Sequence, residues 1–484
     1  MVLLLAYAIP ALLVIAFALG LAAAWVFQYR LTAGVAPEWR LAAVVAIVGV
    51  GALLSVALTS RDLDDAKGGT LVTYDDLAGG FTASRWFSVF LVMASLLEVA
   101  RGWLQDLARK SSDPARPLLF AMLAYYVGTT LIQAVASDHP EFEARSLYVP
   151  ILLAAVYYQR PVRLGPVIAA TRWVILALML GSLAGVWLHP DFVMHRPDSS
   201  WLPGIDWRLF GLAPHANSLG PIALLGILVE LHSPSRWKLL RGLVFASAAA
   251  VLLLAQSKTV WATVPVMLAV VWLPLSLLRT SAGGDLGHDF RRSVLTLSGV
   301  IVVLVLVVAA AVAFDVVDTI EHRSDLVTLT GRTRIWDITL QAWQENVLFG
   351  YGPGIWGAER QREFQMFHVG QAHNQVVQTL GEAGLIGLVL LLVYLGALLV
   401  SALGTFVASR GIVLMLLMLM LVRCVTEAPL RTEGILSWTT FLHALLIVMA
   451  CHYERERAAR RVPAGRRASG EPAAIGSGVA FDGP

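Results

Sequence analysis

Residues 385–404 read LIGLVLLLVYLGALLVSALG, an unbroken apolar run without one charged side chain. A helix needs about 20 such residues to cross the hydrocarbon layer of a bilayer. Working outward, similar runs recur along the chain, near 2–27, 41–59, 84–104, 117–136, 146–158, 167–188, 218–232, 237–256, 259–278, 293–314, 411–427 and 434–453. With 385–404 they make about 12–13 candidate spans, the run at 146–158 being short for one. The expected fold is therefore all-α: a polytopic bundle of about 12–13 transmembrane helices.

Composition agrees. The 484 residues are 57% apolar and only 14% charged, with a mean hydropathy of +0.71, whereas soluble chains are about 25% charged. This excludes a cytosolic enzyme, a disordered protein and a disulfide scaffold. A net charge of +3 gives no reason to expect nucleic acid as a partner; membrane lipid is the expected surroundings. Cys424 and Cys451 both lie in apolar runs and read as small buried hydrophobes. The first run lacks a basic leader and reads as a retained helix.

Basic residues orient the spans. Arg30 and Arg40, Arg109, Lys110 and Arg116, Arg160 and Arg163, Arg236, Lys238 and Arg241, Arg279, Arg291 and Arg292, Arg410 and the Arg-rich tail fall on one set of alternating connections. That set is expected to face the cytoplasm. The opposite set is more acidic at 60–83 and 137–145. Five regions follow: N-terminal spans 1–204, central spans 205–314, a large outward loop 315–384, C-terminal spans 385–453 and a basic, disordered cytoplasmic tail 454–484.

Polar chemistry collects on the outward face. The loop 315–384 is far longer than the other connections, and such loops are usually functional or separately folded. Within it, IWDITLQAWQENVLFG (335–350) places Trp336, Leu340, Trp343 and Val347 at helical spacing. Such a stripe reads first as a helix lying at the headgroup level, with sugar stacking as the sharper alternative. Gly350, Gly352, Pro353 and Gly354 then force a turn. The same face carries Arg208, His215 and Asn217, the short Gln256-Ser257-Lys258-Thr259 connection, Arg332, Arg334, His368, His373, and Arg431 beside Arg423 and Glu427. Lys258 could equally be a snorkelling helix-end lysine, and His215 could satisfy backbone groups at a helix start. His443 reads as a packed, hydrogen-bonded histidine, and Glu98, Arg172 and Glu230 as charges near an interface or paired with neighbours rather than lining a pathway.

Arginines with a histidine, and without paired carboxylates, suit one chemistry. The guanidinium fork binds phosphate bidentately, and imidazole can accept a proton near neutral pH. Together they fit displacement of a phosphate or pyrophosphate by a hydroxyl. No metal is expected, because the sequence holds no H-E-x-x-H, and the outward carboxylates Asp315, Asp318, Glu321 and Asp325 lack ligand spacing. No cofactor motif is present either, and no G-x-S-x-G marks a serine hydrolase.

These residues resemble the O-antigen ligase/polymerase superfamily of bacterial membrane glycosyltransferases. The resemblance rests on Gly331-Arg332 with Trp336, Gly350-Tyr351-Gly352, His373-Asn374 and Gly384. It extends upstream to Arg208-x-x-Gly211-x-x-x-His215-x-Asn217-x-Leu219-Gly220 and to Ser257-Lys258-Thr259. It covers roughly 205–400. It implies a multi-pass protein of the bacterial inner membrane, acting at the periplasmic face without a metal or cofactor. The donor would be a glycan on undecaprenyl pyrophosphate and the acceptor a glycan or lipid. A flippase and a chain-length regulator of the same pathway would be further partners. Carried over, Arg208 and Arg332 would hold the pyrophosphate, and His373 would be base on the acceptor or a third pyrophosphate contact. Asn217 and Asn374 would orient neighbours, while Lys258, Arg334, His215 and Trp336 would line the substrate site. Lipid A core ligases continue, after the final glycine, with a Thr pair. Here Leu385-Ile386-Gly387-Leu388 follows Gly384. This favours a polymerase of O-antigen or exopolysaccharide repeat units over a ligase. A lipid-linked glycan transporter or flippase is the rival from another class, although no internal repeat supports it.

Overall fold

The computed structural model describes residues 26, 29–59, 61, 63, 82–109, 113–196, 205–261, 263–264, 266–267, 270, 326–366, 369–432 and 434–461. The expected spans 2–27 and 293–314, most of 259–278, His368, the first part of the outward loop and nearly all of the tail lie outside these residues.

The described chain is almost wholly helical. Its helices are α1 (Pro37–Ala57), α2 (Thr82–Arg109), α3 (Arg116–Val135), α4 (Tyr148–Gln159), α5 (Gly165–Leu188), α6 (Ala216–His232), α7 (Lys238–Ala255), α8 (Leu326–Glu345), α9 (Ala358–Glu363), α10 (Gln375–Gly404), α11 (Ile412–Thr426) and α12 (Trp438–Arg461). Proline stands in the first turn of α1, α3 and α5, where its missing N–H costs no hydrogen bond. Six helices, at 37–57, 85–108, 116–135, 165–188, 238–255 and 375–404, are long and apolar enough to cross a membrane. α6 and α11 are shorter apolar helices. The protein is multi-pass. Its lipid-facing side explains side chains no aqueous surface would favour, such as Leu239 at 90% and Trp187 at 88% exposed. α4, the run too short to be assigned with confidence from sequence, has 12 residues, which rise only about 18 Å. It is buried along nearly its whole length and packs between α2, α3 and α12.

α3 packs along α10, α1 along α5, α2 along α4 and α6 along α7. One continuous apolar core runs through the bundle. Inside it His443 lies between Tyr126 and Tyr394, bonded to both hydroxyls, as a packed histidine should be. Arg172 pairs with the fully buried Glu230 at 2.6 Å, which in turn accepts from the backbone N–H of Ser235.

A second, smaller core forms outside the bundle: Ile335, Ile338, Ala342, Tyr351, Ile355, Trp356, Val369 and Ala372. Residues 335–372 thus share a core of their own, laid on α10 through α8. α10 starts well before the apolar run that announces it, and it breaks at Gly384 (φ 62°, ψ −160°). There the N–H groups of Leu385 and Ile386 turn to the carbonyls of Val347 and Leu348. A Cβ on Gly384 would lie 2.4 Å from the Leu348 backbone, and one on Gly350 (φ 77°) 2.7 Å from Gly384 N. The two glycines meet because only bare backbone fits.

Arg116, Arg160 and Arg455 gather at one end of the bundle around Asp106 and Asp113. Arg208, His215, His373 and Arg431 gather at the other.

Candidate functional site

The connection before α6 is pinned by a residue that sequence reading passed over. Arg61, 7% exposed, donates to the carbonyls of Phe192, Gly211 and Ala213. Burial lowers its pKa to about 10, still far above neutrality, so it stays charged. Its five donors suit a knot of carbonyls. A two-residue antiparallel pairing, His195 with Arg208 and Met194 with Leu209, completes the connection.

Arg208 is anchored on one edge. Its Nε donates to Ala255 O at 3.3 Å, and Nη2 donates to Ala255 O, Gln256 O and Asn217 Oδ1, each at 3.3 Å. The carbonyls belong to the C-terminus of α7, the negative end of the helix dipole. Gln256 adopts φ 48°, which ends α7, and its side chain donates to Trp207 O. Arg208, Asn217 and the segment leading to Lys258 therefore share one spot. Among the described residues nothing bonds Arg208 Nη1. Burial lowers the pKa of Arg208. Gly220 lets α6 approach this segment, since a Cβ there would lie 2.9 Å from Ser257 Cβ.

His215 caps α6: its Nδ1 accepts from Asn217 N at 3.1 Å. The cap is the histidine itself, not Asn217. Burial first, then the charge of Arg208 with lesser contributions from His195 and His373, lowers its pKa to about 4, against an opposing pull from Glu427. His215 is thus neutral at neutral pH, with its proton on Nε2 because Nδ1 is an acceptor.

α8 brings its residues to the same end. Trp336 donates from Nε1 to Ala372 O at 2.7 Å and packs on the outer core. It ties α8 to the residue just before His373. Arg332, half-buried, stands one turn before Trp336 on the same helical face. Arg334 is exposed and donates to Phe364 O at 3.3 Å. Trp343 bonds only its own helix end, at Val347 O.

His373 sits at φ 50°, just ahead of the α10 cap. Asn374 Oδ1 accepts from Val376 N and Val377 N at 2.9 and 3.2 Å. His373 Nδ1 is 2.9 Å from Glu427 Oε2, and Gln371 Nε2 donates to the same oxygen at 2.8 Å. Burial pushes the Glu427 carboxyl up, but the hydrogen bond and charge of His373, with Arg423 and His215, outweigh it and hold Glu427 below the usual carboxylate range. Arg431 donates to Gly370 O and pairs with Glu382 at 3.3 Å. Behind them a small polar cleft is lined by Tyr125, Thr129, Gln133, Thr379, Glu382 and Arg431.

The structure therefore brings Arg208, Asn217, His215 and His373 to one end of the bundle. It sets Arg332 on the face of α8 fixed beside His373, and it keeps Arg334 at the edge. The sequence reading found arginines and histidine without paired carboxylates. The structure adds Glu427, whose position beside Arg431 was visible but whose partner was not. Arg61 lay outside every motif, and only its charge near an apolar span marked it. Among the described residues, no three His, Cys, Asp or Glu side chains come together as a metal would require.

Residues 243–392 match the family model described as O-Antigen ligase. The matched region contains Lys258, Arg332, Trp336, His373 and Asn374; Arg208 and His215 precede it and Glu427 follows it. No curated protein matches the chain. The match is consistent with the O-antigen ligase/polymerase superfamily, and it supports a membrane glycosyltransferase of that type.

Proposed function

We propose that this protein polymerises oligosaccharide repeat units carried on undecaprenyl pyrophosphate, at the periplasmic face of the bacterial inner membrane. The observation that carries this reading is the half-engaged Arg208, whose charge reaches the same His215 that His373 influences. One edge of its guanidinium is fixed by carbonyls, while Nη1 is left for an oxygen anion. Arg208 and Arg332 grip the pyrophosphate and stabilise the charge that develops as it leaves. His215 donates from Nε2 to the same anion. Lys258 adds positive potential, and Asn217 and Asn374 hold Arg208 and the His373 segment in place. An acceptor hydroxyl attacks the anomeric carbon from the side opposite the pyrophosphate, so configuration inverts. The large, apolar, lipid-facing surface admits the polyprenyl chain, and the basic opposite end supports the orientation.

A ligase that passes the glycan to another acceptor is the second reading, favoured by the description of the matching family. The absence of a Thr pair after Gly384 favours polymerisation. Purified protein incubated with the lipid-linked repeat unit alone is expected to give a ladder of products, unaffected by chelator. Product only after a second acceptor is added would establish the ligase. Lipid crossing the bilayer without covalent change would establish a transporter. Arg332→Ala and His373→Ala are each expected to lower the rate at least about 10²-fold, with the protein still in the membrane. Full activity in both would overturn the site.

A further inference from the structure

We infer that Arg61 is a positioning residue for the donor: its buried guanidinium holds the turn that carries Arg208 and His215, and so aims both at the pyrophosphate. This rests on the glycosyltransferase reading and extends it to a residue that touches no substrate.

The strand pair that carries Arg208 is short, with Met194 facing Leu209 and His195 facing Arg208. Past it, Val193 O accepts from both Phe210 N and Gly211 N, at 2.9 and 3.0 Å. Continuing the register puts Phe192 opposite Gly211. Two facing carbonyls cannot bond each other, because neither has a proton to give. Arg61 stands between them and supplies the donors. Its Nη2 donates to both Phe192 O and Gly211 O, and Nε donates to Phe192 O at 3.1 Å. Nη1 donates to Ala213 O at 2.8 Å and Pro214 O at 3.5 Å. The guanidinium also lies 4.7 Å from the centre of the Phe192 ring. One planar fork thus collects carbonyls from both arms of the connection.

The turn so gathered has a donor-site residue at each end. Arg208 stands three residues before Gly211, and His215 directly follows Pro214. Gly211 takes φ 60°. A Cβ there would lie 2.3 Å from Ser182 Oγ, which accepts from Leu212 N at 2.9 Å. Arg208 is bonded along one edge only, so the direction of its Nη1 follows from where its backbone is held. Leu63 N donates to Asp191 O at 2.9 Å, and His195 Nδ1 is 3.4 Å from Leu63 O. These two contacts strap the start of the 60–83 connection to the same place.

The charge of Arg61 points the same way. Burying a cation away from carboxylates is costly, and among the described residues no carboxylate pairs with Arg61. A neutral amide could tie two carbonyls. Four carbonyls on two arms need the five coplanar donors that only arginine has. Lysine, with three donors radiating from one point, cannot span them.

The test uses the full chain in lipid nanodiscs, with undecaprenyl pyrophosphate as binding probe and the lipid-linked repeat unit for turnover. Arg61→Lys keeps the charge and loses the fork. It is expected to weaken probe binding about 10-fold and to lower kcat/KM about 10²-fold, as a small misplacement of Arg208 would. NMR of labelled histidine reads the turn without turnover, the His215 signal being assigned by its loss in His215→Gln. His215 faces Arg208 and His195 on the strand pair, His373 ahead of α10 and Glu427 after α11. Arg61→Lys alters none of these, so a change in His215 reports the turn alone. Its pKa is expected to rise from about 4 toward the ordinary 6.5 as the ring hydrates. If Arg61→Lys does not reach the membrane folded, Ser182→Ala decides, because it frees Leu212 N alone. It is expected to move both measurements in the same direction by less, about 3-fold in binding. Unchanged probe binding, an unchanged His215 titration, or a full wild-type rate with lysine would each overturn the assignment. If the wild type forms no product, the glycosyltransferase reading fails, while the His215 titration still judges the clamp.

Discussion

The two ends of this bundle are both rich in arginine, yet they spend their charge differently. At the basic end Asp113 accepts from Arg455 Nε and Nη2 and lies 3.1 Å from Arg160, which also bonds Asp106 at 2.6 Å. Arg455 donates in addition to Tyr157 O. Carboxylates and guanidinium groups interlock there and tie α2, α3, α4 and α12 together. At the other end, Arg208 is bonded along one edge and His373 at one nitrogen. Paired charge holds helices; a polar group fixed on one side and open on the other is ready for a ligand. The comparison teaches that, in a membrane protein, the disposition of donors separates structure from chemistry better than the number of charges does.

Breaking the open end should cost activity. Arg208→Lys keeps the charge but loses the fork, and is expected to lower kcat about 10²-fold while the melting temperature in detergent barely moves. A large fall in melting temperature with kcat intact would place Arg208 with the structural arginines instead. Breaking the interlocked end should do the reverse. Asp113→Asn removes the carboxylate that Arg455 and Arg160 share, leaving Arg160 on Asp106 and Arg455 on Tyr157 O, and is expected to cost about 2 kcal/mol of stability with activity per folded molecule unchanged. Its pH dependence follows from the same contacts. Burial pushes the Asp113 carboxyl up, but the Arg455 bond and charge, the Ala115 N–H and Arg160 outweigh it and lower the pKa. The stabilisation is therefore full above the ordinary carboxylate pKa and disappears as pH falls through the lower native one. Thermal melts of wild type and Asp113→Asn should converge on acidification. The smallest effect is expected between the two regions. Trp336→Phe removes one indole bond to Ala372 O, worth about 1 kcal/mol, and should loosen α8 enough to raise KM a few-fold with little change in kcat.

How far each region was legible differs for physical reasons. The spans were readable because the bilayer imposes length and apolarity on a single segment, and the helices at 37–57, 116–135 and 165–188 appear where the pattern places them. α10 shows the limit. Its apolar run starts at Leu385, but Asn374 caps the helix eleven residues earlier, because Gln375, Gln378, Thr379 and Glu382 find polar partners inside the protein. That Arg172 and Glu230 would find neighbours and that His443 would be packed was anticipated, since a charge or imidazole in an apolar run must find a partner; that the two charges pair with each other was not. His215 was read as a helix-start residue, and it is one. Its neutrality needed Arg208 and burial, which no local window contains.

The sequence by itself determined a multi-pass helical bundle, because insertion into lipid is decided segment by segment. It also supplied Arg208, Arg332 and His373 as a set of residue types fit for a diphosphate leaving group. Only the tertiary structure decided which atoms of those residues are engaged. Glu427 lies far along the chain from His373, and a hydrogen bond over such a separation exists only once α10 and the segment after α11 have packed side by side.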